Sequence, residues 1–362
     1  MKKGILIAYG EMFLKSENVR KSFQRKLDNN LCFFLGKEKI NFKIYSSRER
    51  IFIALPAGRQ ETSQLLKTKK VIKRMFGIAW FSECFYLSDE KELLNFKYKD
   101  YIKKGETFAI RMKRDRQIID KVAKLLNNKV NLDKPKKELF IEKRDKSFFL
   151  YFKKNKGLGG LPAEVSGKVL SMISGGIDSV PAAYLSAKRG AETVWIHFHS
   201  FPLVSNKSIE KVKELAEVFE KYQKKVKIYF VPFQDIQMEI KAKAPANYRV
   251  LLYRRLMLQI AEKIAKKEGC YALVTGESLG QVSSQTLPNM EITEEGVKIP
   301  VLRPLIGMDK EEIIELAKKI DTYDISIKPQ EDCCTLFVPK HQTAHGNLEI
   351  TKKLESKLKV RG

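Results

Sequence analysis

The apolar stretch Val169 to Ile173 runs straight into Ser174-Gly175-Gly176-Ile177-Asp178-Ser179, and a helical stretch follows that stops at Lys188-Arg189-Gly190. A strand that becomes a helix through a glycine pair admits few folds. The two glycines let the backbone turn tightly with its N–H groups facing inward, the serines add hydroxyl donors, and the helix start adds partial positive charge. Such a turn is a phosphate cradle. No Walker lysine follows it and its spacing is not GxGxxG, so neither a P-loop kinase nor a dinucleotide fold is indicated. The plainer reading, a glycine turn with Asp178 as a helix cap, would need only one of these residues.

Around this turn the pattern is one of alternation. Strands at 168–173, 193–198, 226–231 and 271–275 are interleaved with helices at 179–189, 207–222, 247–267 and 309–319. Repeated βαβ units predict an α/β fold with a doubly wound, Rossmann-like parallel sheet over 162–362. The chain ahead of it reads as small α+β units. A strand at 3–9, a helix at 17–35 and strands at 40–45 and 50–55, closed by Pro56-Ala57-Gly58, predict a ferredoxin-like domain over 1–58. A second domain, 59–161, is predicted from a helix at 61–75, a strand at 78–87, a helix at 89–102, a strand at 106–112, a helix at 116–127 and strands near 138–142 and 147–153. The polar, then Gly-rich run from Lys153 to Pro162 is expected to break regular structure and mark the boundary.

Charge separates the two halves. The net +26 is concentrated in residues 1–160, where 39 Lys+Arg face 18 Asp+Glu, a balance of +21. That bias points to a polyanion partner for the front half. No basic amphipathic helix singles out a membrane surface, no apolar run approaches the ~20 residues of a membrane span, and no apolar leader follows Met1-Lys2-Lys3. A soluble cytoplasmic protein is expected. Five scattered cysteines make neither a disulfide framework nor a zinc site, which leaves free thiols for chemistry.

The SGGxDS string resembles the PP-loop of ATP pyrophosphatases. Together with GLGGLPAEVSGKVLSMISGGIDS (157–179), YRVLLYRRLMLQIAEKIA and ALVTGESLGQVSSQT (within 248–286) and IPVLRPLIGMDKEEI (299–313), it is similar to the catalytic half of ThiI-type tRNA 4-thiouridine synthetases. Gly10-Glu11, Leu14-Lys15-Ser16 and Phe76-Gly77-Ile78 match the same family in order, and members carry ferredoxin-like and THUMP domains for tRNA. The resemblance implies adenylation of a tRNA uridine, expected at position 8, with ATP and Mg²⁺, and replacement of its O4 by sulfur. It places ATP contacts on Met172, Ile173, Ser174, Gly175, Gly176, Ser179, His197, Phe198, Arg254, Gly276 and Gln285. Asp178 would hold Mg²⁺ on the departing pyrophosphate, and Lys310 would stabilise charge during adenylation. On residues alone His197 reads as a satisfied strand-end histidine, Phe198 as core, and one of Arg254 and Arg255 as a solvated helix face. Asp309 and Glu312 read as a capping box. The family's Pro-Val after the loop is here Val180-Pro181, tolerable in a first helical turn.

Thiolation needs a reactive cysteine. Cys32 and Cys84 sit among apolar residues and are expected in cores, whereas Cys333 and Cys334 lie after Pro329 in a stretch poor in apolar cover. Cys333 aligns with the family's catalytic cysteine. With no rhodanese domain before Gly362, sulfur is expected from a cysteine desulfurase or another persulfide donor, with Cys270 or Cys334 as the resolving thiol. Three alternatives stand beside this one. Cys270, Cys333 and Cys334 could ligate an iron-sulfur cluster, although their spacing lacks its signature. The acceptor could be another tRNA base. The chain could be a non-catalytic RNA-binding protein. A role in supplying sulfur to the thiamine thiazole, and a homodimer, are left open.

Overall fold

The computed structural model describes residues 1–58, 61–113, 115–329 and 343–359. The chain divides into two compact units, Met1–Pro162 and Ala163–Gly362.

The first unit opens with β1 (Lys2–Tyr9), α1 (Glu17–Lys37), β2 (Lys43–Ser46), β3 (Arg50–Ala54), α2 (Glu61–Ile72) and β4 (Ile78–Leu87). Strand order β2-β3-β1-β4, all antiparallel, is the ferredoxin-like split βαβ arrangement. β1 is central, with Ile5 and Ile7 fully buried under Leu27, Leu31 and Leu35 of α1 and Leu65 and Ile72 of α2. The expected domain end at 58 therefore cuts the core: α2 and β4 are needed to cover β1 and to occupy its second edge. Beyond β4 come α3 (Glu90–Leu94), β5 (Phe108–Met112), α4 (Arg116–Leu126), β6 (Lys137–Arg144), β7 (Ser147–Tyr151) and β8 (Asn155–Gly159). β7, β6 and β5 extend the same sheet from β4, so the two expected N-terminal domains share one sheet over two helix-covered cores.

Two local expectations fail for identifiable reasons. The helix foreseen over 89–102 ends at Leu94, because Phe96 turns in to meet Phe85 at 4.9 Å and the Tyr98 hydroxyl donates back to the Leu93 carbonyl at 2.8 Å. The Gly-rich run foreseen as a break instead forms β8 along β4. Gly157 permits it, since a Cβ there would stand 2.1 Å from the Ile78 carbonyl oxygen.

The second unit comprises β9 (Lys168–Met172), α5 (Ser179–Lys188), β10 (Glu192–His199), α6 (Lys207–Phe219), β11 (Ile228–Pro232), α7 (Gln234–Lys243), α8 (Arg249–Glu268), β12 (Cys270–Val274), α9 (Leu287–Glu294), β13 (Val301–Leu302), α10 (Lys310–Lys319), α11 (Tyr323–Ser326) and α12 (Leu348–Glu355). Its parallel sheet runs β11-β10-β9-β12-β13. Alternate strand residues face opposite ways. Leu170, Ile196 and Leu273 pack under α7 and α8, while Val169 and Val274 pack against α5 and α10. The sheet is thus doubly wound, as the alternation predicts. Strand order reverses between β9 and β12, so the loops at their C-terminal ends part and leave a crevice, where such sheets bind ligands.

Leu273 is fully buried at the centre of this sheet. Leu273→Ala is expected to cost about 2–5 kcal/mol by removing buried methyl groups and leaving a cavity, read as a lowered urea midpoint.

Candidate active site

The loop after β9 carries the SGGIDS residues into α5. Gly175 adopts φ +85°, and the Gly176 N–H donates to the Ser174 Oγ at 3.2 Å, closing the turn at the helix start. Asp178 is the residue before α5, yet its carboxylate does not cap the helix. It accepts instead from Lys310 Nζ at 2.6 Å and Gln281 Nε2 at 3.0 Å, so the plain helix-cap reading does not describe it. Lys310 is the first residue of α10, set there by the capping box of Asp309 and Glu312. The fold brings the two charged groups together from positions 132 residues apart.

A cleft of about 200 Å³ opens beside this pair. Met172, Ile173, Ser174, Asp178, Ser179, Phe198, Arg254, Gly276 and Gln285 all line it. Ile196, Met257 and Leu258 add an apolar wall, and Thr275 and Glu277 complete its floor. Gly276 is required by close approach: a Cβ would lie 2.9 Å from the Asp178 carbonyl carbon and 3.0 Å from the Ser179 backbone nitrogen. Gln285 lines the cleft, and its Oε1 is buried without a partner among the described residues.

His197 is not a lining residue. Strand alternation sends its neighbours Ile196 and Phe198 to the cleft side and His197 to the α6 side, where its ring nitrogens meet the Ile173 carbonyl at 2.7 Å and the Ser208 hydroxyl at 3.1 Å. It braces the strand end that starts the loop. Neither arginine of the pair on α8 is a solvated face. Arg255 is 4% exposed and ties α8 to the Ile292 carbonyl (2.5 Å), Glu295 (2.7 Å) and Glu355 (2.7 Å).

Arg254 reaches the cleft through a network that sequence reading did not foresee. It donates to the Ser284 hydroxyl at 2.7 Å and to Glu277, which also accepts from Thr275 Oγ1 and from Arg303 Nε, each at 2.8 Å. Burial pushes the Glu277 carboxyl up, but the Arg254 and Arg303 guanidiniums outweigh it and hold it below the ordinary value. Only the TGES string hinted at this residue, and nothing along the chain links it to Arg303.

The cysteines divide. Cys84 is buried in the first sheet, as expected; Cys32, expected in a core, is exposed on the outer side of α1 next to buried Leu31. Cys270 opens β12, at the end of the sheet opposite the cleft, buried and with its thiol pushed up to about 11 chiefly by desolvation. A thiol so placed is poorly suited to resolve a disulfide at the cleft or to ligate a cluster there. Cys333 and Cys334 lie outside the described residues. Among the described residues no cluster of three or more His, Cys, Asp or Glu side chains could hold a metal, and no helix is long and apolar enough to cross a membrane.

Residues 164–360 match the family model of the thiamine biosynthesis protein ThiI, and residues 4–82 that of the ThiI ferredoxin-like domain. This chain belongs to the ThiI family. Among similar proteins is a probable tRNA sulfurtransferase of Caldanaerobacter subterraneus subsp. tengcongensis, 39% identical over 99% of this chain and 96% of that protein. Another, from Thermus thermophilus, is 48% identical over 63% of this chain and 56% of its own length. The crystal structure of a 4-thiouridine synthetase in complex with RNA and bound ATP superposes with a TM-score of 0.86 at 31% identity, covering 99% of this chain and 95% of that one. PH1313 from Pyrococcus horikoshii shares the fold, with a TM-score of 0.66 at 22% identity. The ferredoxin-like match to residue 82 agrees with a core that needs β4.

Two outcomes follow from this geometry. Gly276→Ala should weaken ATP binding in calorimetry and lower the urea midpoint, because the atoms nearest its methyl are backbone atoms of the phosphate loop, which must shift at an overpacking cost of about 1–3 kcal/mol. Glu277 has a depressed pKa, so its contribution to stability is present above about 4.5, the ordinary carboxyl value, and is lost as pH falls through its lower folded value. The stability gap between wild type and Glu277→Gln should accordingly hold from neutrality down to about 4.5 and shrink at lower pH.

Proposed function

We propose that this protein is an ATP-dependent tRNA sulfurtransferase that makes 4-thiouridine, with the uridine at position 8 as its target. The observation that carries the reading is the Asp178–Lys310 pair at the phosphate loop, in a chain that aligns over 99% of its length with both a probable tRNA sulfurtransferase and a 4-thiouridine synthetase bound to RNA and ATP.

The chemistry divides between two substrates. The cleft suits ATP, with the apolar wall of Ile196, Phe198, Met257 and Leu258 for the purine and the loop for the phosphates. The uracil O4 attacks the α-phosphorus and pyrophosphate leaves, so the base carries AMP as a leaving group. Lys310 and the backbone N–H groups at the start of α5 meet the charge that develops on the phosphates. Of the two carboxylates lining the cleft, Glu277 is held by Arg254 and Arg303, so Asp178 is the one suited to a Mg²⁺ held mostly by phosphate oxygens. That ion would neutralise charge on the departing pyrophosphate. The outer sulfur of a persulfide then attacks C4 and displaces AMP, and a second thiol takes the inner sulfur as a disulfide, which breaks the S–S bond and frees the 4-thiouridine. The carrier of that sulfur is assigned to Cys333 on the family resemblance, with persulfide delivered by a desulfurase or another donor. The description of the ThiI family as thiamine biosynthesis proteins favours a second use of the same sulfur, in the thiamine thiazole.

The test is pyrophosphate release on bulk tRNA together with mass analysis of its nucleosides. Asp178→Asn and Lys310→Ala should each slow tRNA-dependent pyrophosphate release by ~10² or more, the loss typical of one electrostatic stabiliser. Cys333→Ser should adenylate tRNA yet yield no 4-thiouridine. Undiminished turnover in the first pair would overturn the assignment of the site, and normal thiouridine from the third would move the sulfur chemistry elsewhere.

A further inference from the structure

Lys211 is 4% exposed on α6, and the chemistry described above makes no use of it. A buried ammonium needs partners held at hydrogen-bond distance. Its Nζ donates to the Ser326 carbonyl at 3.0 Å and to the Lys328 carbonyl at 2.6 Å, at and just beyond the end of α11, where helix carbonyls have no partner within the helix. One turn on along α6, Glu214 pairs with the Lys328 side chain, so one helix face holds that residue by its backbone and by its charge.

One turn back along α6 stands Ser208, whose hydroxyl meets His197, and His197 meets the carbonyl of Ile173, where the phosphate loop begins. The line from cleft-lining Ile173 to Lys328 thus runs through His197, Ser208, one helical turn and Lys211, three side chains each more than nine-tenths buried. Cys333 stands five residues beyond Lys328. An extended chain covers at most ~3.6 Å per residue, so the two Cα atoms lie no more than about 18 Å apart.

The chain is fastened again at 343. Asn289, fully buried on α9, donates through Nδ2 to the Thr343 and Ser283 carbonyls, each at 2.9 Å, and its Oδ1 accepts from the Gly346 N–H at 2.9 Å. Thr286 Oγ1 donates to the Ala344 carbonyl at 2.6 Å. Ser283 adjoins Ser284, the partner of Arg254 at the cleft. Buried side chains therefore tie both ends of the stretch that contains Cys333 to elements of the nucleotide site. Packing α11 on α6 would need only apolar contact; a buried ammonium instead fixes two carbonyls, and does so in the last residues before that stretch.

We infer that Lys211 is a positioning residue for the sulfur step. It sets the point from which the chain carries Cys333 to the cleft and, with Asn289 at the other end, keeps the effective concentration of the persulfide at C4 high. Lys211 does not line the cleft, so it acts through the chain alone. The inference rests on the role proposed above for Cys333 and adds what holds that thiol to the nucleotide site.

The two steps are timed separately on the full-length protein with bulk tRNA. A pyrophosphate burst with ATP and no sulfur donor reads adenylation, and thiouridine formed with saturating cysteine desulfurase and cysteine reads sulfur transfer. Lys211→Met keeps the stem and removes the ammonium. It should leave the burst unchanged and slow thiouridine formation about ten-fold, because a misplaced reacting group loses the gain from proximity. Lys211→Arg, which keeps a cation for the two carbonyls, should lose less. Equal slowing of both steps by Lys211→Met, or slowing of neither, would make the residue a packing element and overturn the proposal. Should that variant fail to fold, an insertion of Gly-Ser-Gly-Ser between Pro329 and Gln330 decides, since it spares every anchor while lengthening the run from Lys328 to Cys333. The insertion should also slow thiouridine alone, and a wild-type rate from it would overturn the proposal. Cys333→Ser runs in parallel. Normal thiouridine from it would sink the sulfur reading and this inference together, whereas no thiouridine from it beside wild-type rates from Lys211→Met and the insertion would sink this inference alone.

Discussion

The loop that leaves β9 and the loop that leaves β12 touch at backbone level, Gly276 against the Asp178–Ser179 peptide. That contact exists because β9 and β12 are neighbours whose onward connections diverge, the reversal of strand order that opens a crevice in a doubly wound sheet. With Gly276 in place the phosphate loop can sit low enough for the Asp178 carboxylate to meet Lys310 and Gln281. A side chain at 276 would lift the loop away from both partners. The parallel sheet with its helices is, in this sense, a device for bringing three separate loop ends to one point.

The chemistry of the cleft depends on buried charge being balanced. Glu277 is 4% exposed, a location where a lone carboxylate would take up a proton. Two arginines from different elements keep it ionised, and it in turn fixes Arg254 at the cleft wall and Arg303 at the end of β13. The arrangement costs desolvation and returns position: a guanidinium gripped on two sides cannot swing with its helix. His197 does a related task with neutral hydrogen bonds, holding the Ile173 carbonyl where the loop begins.

The first unit follows different physics. Its sheet carries aliphatic residues on the helix-covered face and aromatic residues with cations on the other, and a single sheet serves what the sequence suggests are two domains. Net charge points to a polyanion partner for this half, but a charge count carries no information on which residues share a face. Only register puts Phe140, Trp80 and Lys154 on a common surface.

Short-range pattern was enough to read the α/β class, the alternation of β9 through β12 with their helices, the phosphate loop and the capping box at Asp309, because each depends on residues within a few positions of one another. The family motifs likewise located most of the cleft lining. Long-range facts were decided by the tertiary structure alone: the completion of the ferredoxin-like core by β4, the strand made from Asn155–Gly159, the removal of His197 from the cleft side, the position of Cys270 at the far end of β12, and the Glu277 network. The physical reason is common to all of them. Which strands become neighbours, and which end of each strand a residue occupies, is set by burying apolar surface across the whole sheet, and sequence spacing carries no record of that pairing.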